Sequence, residues 1–264
     1  MWIRVVCCLV AGFVLVLCAT LPAAAHEYWL EPAEFVLQSG QSVPIHIYVG
    51  ENFKANSFPY LRDEYKKFVL AEGRNERPVK AVDGDDPVTI KLTAPGLAIV
   101  AAYTVPETLT FDTWDKFDAY LQFEGLEHIA PKHREQGKPM TGIVEHYIRC
   151  AKLLLNVGGG GDDRVIGLPL ELVAERNPYR LAPGEALPVR LLHNGKAIAG
   201  VQITAFSKAD PHTRQHVRTD AKGRARIALP AAGPWLLNAV HMVESTTANV
   251  HWLSWWASMT FARP

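Results

Sequence analysis

Short apolar runs, each closed by glycine or proline, recur along nearly the whole chain and restrict what it can fold into. "FVLQSGQSVPIHIYVG" and "PVTIKLTAPGLAIVAAYTVP" precede the middle of the sequence; "LPLELVA", "ALPVRLLHNGKAIAGVQITAFS", "PWLLNAVHMV" and "VHWLSWWASMTFA" follow it. They are rich in Val, Ile, Thr and Tyr, and many alternate apolar with polar. That is the pattern of half-buried strands in a β-sandwich. "HNGK" and "DAKG" sit between alternating runs, where hairpin turns belong.

The middle reads differently. "FDTWDKFDAYLQFEGLEHI" sets Trp114, Phe117, Tyr120 and Leu121 at helical spacing, with Asp115, Lys116 and Asp118 on the other side. "GIVEHYIRCAKLLLNVG" also fits a helix through Ile143, Tyr147, Ala151 and Leu154, with a possible Glu145–Arg149 pair, although its second half equally fits a buried strand. "GGGGDD" then reads as a flexible break. No Gly-Lys-Ser/Thr follows it, so it is not a phosphate loop. The expected fold class is all-β: two β-sandwich domains, immunoglobulin-like or transthyretin-like, with a helical insert. Residues 26–157 form the first domain, with the insert at about 111–155. Residues 158–167 form a Gly-rich linker and 168–264 the second domain.

Residues 1–25 read as a secretory signal. Arg4 gives the positive start, Val5 to Ala19 the apolar stretch, and Ala23-x-Ala25 the cleavage pattern. The apolar stretch is shorter than the roughly 20 residues of a membrane span. The expectation is a periplasmic protein with no transmembrane segment after cleavage. Cys7, Cys8 and Cys18 would leave with the signal, so Cys150 has no intramolecular partner. Stability must then come from an ordinary core, which 48% hydrophobic residues can supply. With 27 basic and 27 acidic residues and no basic stripe, nucleic acid is excluded as a partner. No dinucleotide fingerprint, nucleophile elbow or zinc-protease helix occurs.

"HEYWLEP", "FDAYLQFEGLEHI" followed by "EHYIRCAK", "GLPLELVAERNPYRL", "GRARIALPAAGPWLLNAVHM" and the closing "WWASMTF" together resemble one family. It is the exported domain-of-unknown-function family 4198, described as the periplasmic component of a cobalt or nickel transport system. The resemblance implies a metal-handling protein of the periplasm, accessory to a membrane metal-uptake transporter, with nickel or cobalt as the ion; copper and zinc remain open.

Cleavage after Ala25 would make His26 the first residue and free an α-amine beside its imidazole. Both deprotonate near neutral pH, and together they chelate one ion. His241 and His251 form a second feature. A hairpin centred on Thr246 sets them opposite each other, within reach of a shared metal. The expected metal ligands are therefore His26, His241 and His251. His212 and His216 read as exposed loop residues, and His46 as a strand residue facing solvent. A second reading is a copper protein or redox enzyme built on the terminal chelate, which resembles the copper brace of lytic polysaccharide monooxygenases. A third is a structural sandwich module that binds no metal.

Overall fold

The alternating runs become strands in the computed structural model, which describes residues 27–264. In chain order these are β1 (Glu27–Pro32), β2 (Val36–Leu37), β3 (Ser42–Glu51), β4 (Lys54–Phe58), β5 (Tyr65–Glu72), β6 (Asn75–Pro78), β7 (Val88–Lys91), β8 (Gly96–Thr104) and β9 (Glu107–Phe111). Helices α1 (Trp114–Phe123) and α2 (Ile129–Glu135) follow. Then come β10 (Ile143–Val157), β11 (Leu170–Ala174), β12 (Leu187–His193), β13 (Lys196–Ala197), β14 (Gln202–Ser207) and β15 (Gln215–Arg218). The last three are β16 (Arg224–Ile227), β17 (Gly233–Glu244) and β18 (Trp252–Arg263). The fold is an all-β sandwich.

One ten-stranded sheet, ordered β15-β14-β17-β18-β10-β8-β5-β6 with β2 and β9 also on β10, takes strands from before and after the glycine run. β10 is its spine. One edge pairs in parallel with β18, Glu145–Leu153 against Trp252–Thr260, and the other receives β9 and then β8. This corrects the helix expected from Ile143 to Leu155. Cys150 to Leu155 are buried without a break, because both faces of β10 are covered. A doubly covered strand loses its alternation and reads as a continuous apolar run.

The two covering layers follow from side-chain parity. Thr260 Oγ1 donates to the Leu30 carbonyl of β1 at 2.6 Å, so the β1-β3-β4 sheet lies on that face. The helices share the face, packing Phe117, Tyr120 and Leu121 against Val240, Met242 and Trp252. Lys152 points the other way, to Glu171 of β11, so the β11-β12-β13 sheet covers the opposite face.

α1 starts at Thr113, whose side chain accepts from Lys116 N, and ends at Glu124. Gly125 follows at φ 71°, a left-handed turn that glycine adopts freely. A Cβ there would stand 2.7 Å from Gln202 Cβ on β14, so the close approach also requires glycine. This turn sets Glu124 on one side of the sheet edge and leads the chain to His128.

The glycine run is less free than its composition suggests. Lys152, 1% exposed, donates to Asp163 at 3.1 Å and to the Arg164 carbonyl at 3.1 Å, and pairs with Glu171 at 2.7 Å. The Glu171 carboxylate also accepts the Ile166, Gly167 and Leu168 N–H groups, while Asp163 accepts those of Ala174 and Arg164. The segment is fastened from Asp163 onward. Replacing Lys152 with Met would leave two buried carboxylates without their cation. Breaking a buried pair in this way costs about 3–5 kcal/mol, so the Lys152→Met variant should lose roughly that in a urea unfolding curve. A loss under 1 kcal/mol would show that the clamp is incidental.

Candidate functional site

Two inward-facing rows run off the core at the same rim. On β12, Leu187, Val189 and Leu191 are buried and His193 continues their row. On β17 the buried row Trp235, Leu237 and Ala239 continues into His241. The two histidines therefore meet where the hydrophobic rows end. Their ring centroids lie 4.8 Å apart at an interplanar angle of 63°. Trp255 of β18 closes the site, 4.4 Å from His193 and stacked on His241 at 6.0 Å.

His193 is held there by the "NG" turn that follows it. Asn194 and Gly195 take φ 49° and 75°, the left-handed pair of a two-residue hairpin, and β13 pairs back at Lys196. The exposed Asn194 amide donates to His193 Nε2 at 3.1 Å, leaving the ring proton on Nδ1. Burial, then His193 and His128, push His241 down to about 4. Burial also lowers His193. His128, between the helices, is lowered by burial and by Lys132 and Arg218. All three are neutral imidazoles at neutral pH, the form that binds metal. Among the described residues, no three His, Cys, Asp or Glu side chains already stand as a metal cage. The pair supplies two nitrogen donors, and His128 is the next imidazole along the rim.

The expected partner of His241 is elsewhere. β17 pairs with β18 so that His241 faces Trp255, while Ser245 N bonds the His251 carbonyl. The hairpin is centred on Ala248, not Thr246. The loop closes with a Val250 N to Thr247 carbonyl bond and with Asn249 at φ 63°, a conformation asparagine tolerates better than most residues. His251 Nδ1 accepts the Val144 N–H at 2.8 Å, tying the loop to β10. His26 lies outside the described residues. Its neighbour Glu27 lines a cavity with Val240 and Trp256, on the sheet face opposite His241.

Other histidines stand apart from this pair. His133 is fully buried, with one ring nitrogen on the Pro139 carbonyl and the other accepting from Trp252 Nε1. His46 sits on the outer face beside Asp86, and His216 is exposed beside Thr204. His146 lies on a strand, and Arg149 pairs with Glu107 rather than with Glu145.

Sequence reasoning missed a second polar cluster on the helix face. Glu145 is fully buried and accepts from Tyr120 Oη at 3.0 Å and from Ser254 Oγ, while its other oxygen has no partner. Burial pushes its carboxyl up to about 7. Beside it, Glu27 is bonded by Arg214 at 2.6 Å, with the guanidinium 4.2 Å above the Phe206 ring. Burial, then the Glu27 charge, push Glu124 up to about 8.

A model of one family matches residues 23–243, and its description is a domain of unknown function, DUF4198. The chain belongs to that family. No curated protein matches the DUF4198 chain. Among solved structures it is similar to the D0-D1 domain of intimin, at 14% identity over 89% of this chain and 97% of that one, with a TM-score of 0.22. It is also similar to dimeric latent PorU from Porphyromonas gingivalis, at 10% identity over 90% of this chain and 20% of that one, with a TM-score of 0.21. No helix among the described residues of this family member is long and apolar enough to cross a membrane.

The buried carboxyl gives a pH signature. Glu145 holds its proton more tightly folded than unfolded, so its contribution is complete below about 4.5 and is lost as pH rises through about 7. The depressed histidines act oppositely: their contribution is present above about 6.5 and is lost as pH falls toward 4. Glu145→Gln should therefore gain Tm relative to wild type as pH rises from about 4.5 to about 7, and leave the histidine-driven loss on acidification in place. A Tm difference that stays constant across that range would mean that Glu145 titrates as an ordinary carboxyl.

Proposed function

We propose that this protein is an exported transition-metal binder that takes nickel or cobalt as cargo and passes it to a membrane uptake transporter. The observation that supports the reading is the contact of His193 with His241, two imidazoles kept neutral at a rim between facing sheets. Imidazole suits nickel, copper and zinc, and two-nitrogen capture with water completing the shell suits an ion that must later be released. Where a metal enters, it takes the Nε2 lone pair of His193 that the exposed Asn194 amide now occupies. His251 takes no part, since its Nδ1 is committed to Val144.

Calorimetric titration of protein beginning at His26 with nickel, cobalt, copper and zinc tests the reading. The His193→Ala/His241→Ala variant should bind nickel or cobalt at least ten-fold more weakly, while His251→Ala leaves the affinity unchanged. A glycine inserted before His26 keeps every side chain and moves the α-amine from the imidazole. Loss of affinity in that variant alone would assign the metal to the terminal chelate and favour the copper reading. Equal affinity in all variants would reject both seats.

A further inference from the structure

On the face of the central sheet opposite the histidines, β1, the end of α1, β17 and β18 enclose a cavity of about 20 Å³, room for one water-sized species. Its polar lining is Glu27, Glu124, Asn238 and Ser258; Val240 and Trp256 close it. Three observations set it apart from a packing gap. Ser258 is 4% exposed, yet its hydroxyl has no hydrogen-bond partner. Glu27 and Glu145 both lie close enough to Glu124 to repel its charge, against the single guanidinium of Arg214. The lining offers oxygen donors and no sulfur or imidazole.

We propose that this cavity binds one small hard cation through the carboxylates of Glu27 and Glu124, the Asn238 amide oxygen and the Ser258 hydroxyl. All-oxygen donor sets suit hard ions such as calcium, not the softer metals that imidazoles take. Once ionised, Glu124 needs a cation of its own, since Arg214 is already engaged by Glu27 and Asn52. Glu51 adds a further carboxylate near Glu27, while burial raises Tyr28 and Tyr120, so neither tyrosine is an anion at neutral pH. Binding is an exchange: the ion enters, the Glu124 carboxyl releases its proton to solvent, and the carboxylate becomes a ligand. The ion would pin the end of α1 to β1, β17 and β18 at once.

The test uses protein beginning at His26, with calcium chloride as the probe, read by calorimetry and by Tm at pH 7. Calcium should bind once, release close to one proton per ion (heats compared in two buffers of different ionisation enthalpy) and raise Tm. Glu124→Gln should lower calcium affinity at least ten-fold and abolish proton release, Ser258→Ala should lower it several-fold, and neither should change nickel binding at His193 and His241. No calcium binding overturns the proposal, and calcium binding that Glu124→Gln and Ser258→Ala both leave unchanged overturns its seat in this cavity. Failure at this cavity leaves the histidine site standing, because the two lie on opposite faces and are read by different ions.

Discussion

Lys152 is the point at which the layers of this protein are joined. Its ammonium, taken out of water, holds Asp163 of the glycine segment and Glu171 of β11 from a position on β10. Two carboxylates on one lysine leave a negative charge in the interior, and the five backbone N–H groups that they accept make it tolerable. Charge and hydrogen bonding together fix where the β11-β12-β13 sheet lands on the spine, and therefore where His193 stands relative to His241. Apolar packing alone would hold that sheet against β10 but would specify its position less sharply.

The same strand order explains why two unlike polar sites coexist. β17 alternates across the central sheet: Asn238 and Val240 look toward the helices, while Ala239 and His241 look toward β12. One face therefore gathers oxygen donors around the end of β1. The other gathers nitrogen donors at the rim of the second sheet. Buried glutamates with raised proton affinity and histidines with lowered affinity sit within one strand's thickness of each other.

Much of the fold is legible in the sequence because solvent-facing strands write their period plainly. β3 alternates Val43, Ile45 and Ile47 inward with His46 outward, and the Asn194-Gly195 turn sits where its dipeptide says it should. β10 escapes such reading. Its burial on both faces erases the period, and short apolar runs look alike in helix and strand. The site is legible only in part. The inward phase of His241 follows from its own strand, but its partner depends on hairpin register, and two residues of loop decide that register. His193 lies far off in sequence, in a stretch whose only local message is a turn. Glu27, Glu124 and Glu145 are brought together by tertiary packing, and nothing in their spacing announces it.

The parallel pairing of β10 with β18 also sets an order of events. Val144 and His251, bonded across that seam, are 107 residues apart in the chain. A synthesised polypeptide presents β10 long before β18 exists to cover it, and non-local pairing of this kind is slow to form. During that interval the edge of "RCAKLLL" offers unpaired backbone groups flanked by apolar side chains, an open template for another chain. Wherever this protein folds, neighbouring chains must be kept from that edge until Trp252 to Arg263 arrives to close it.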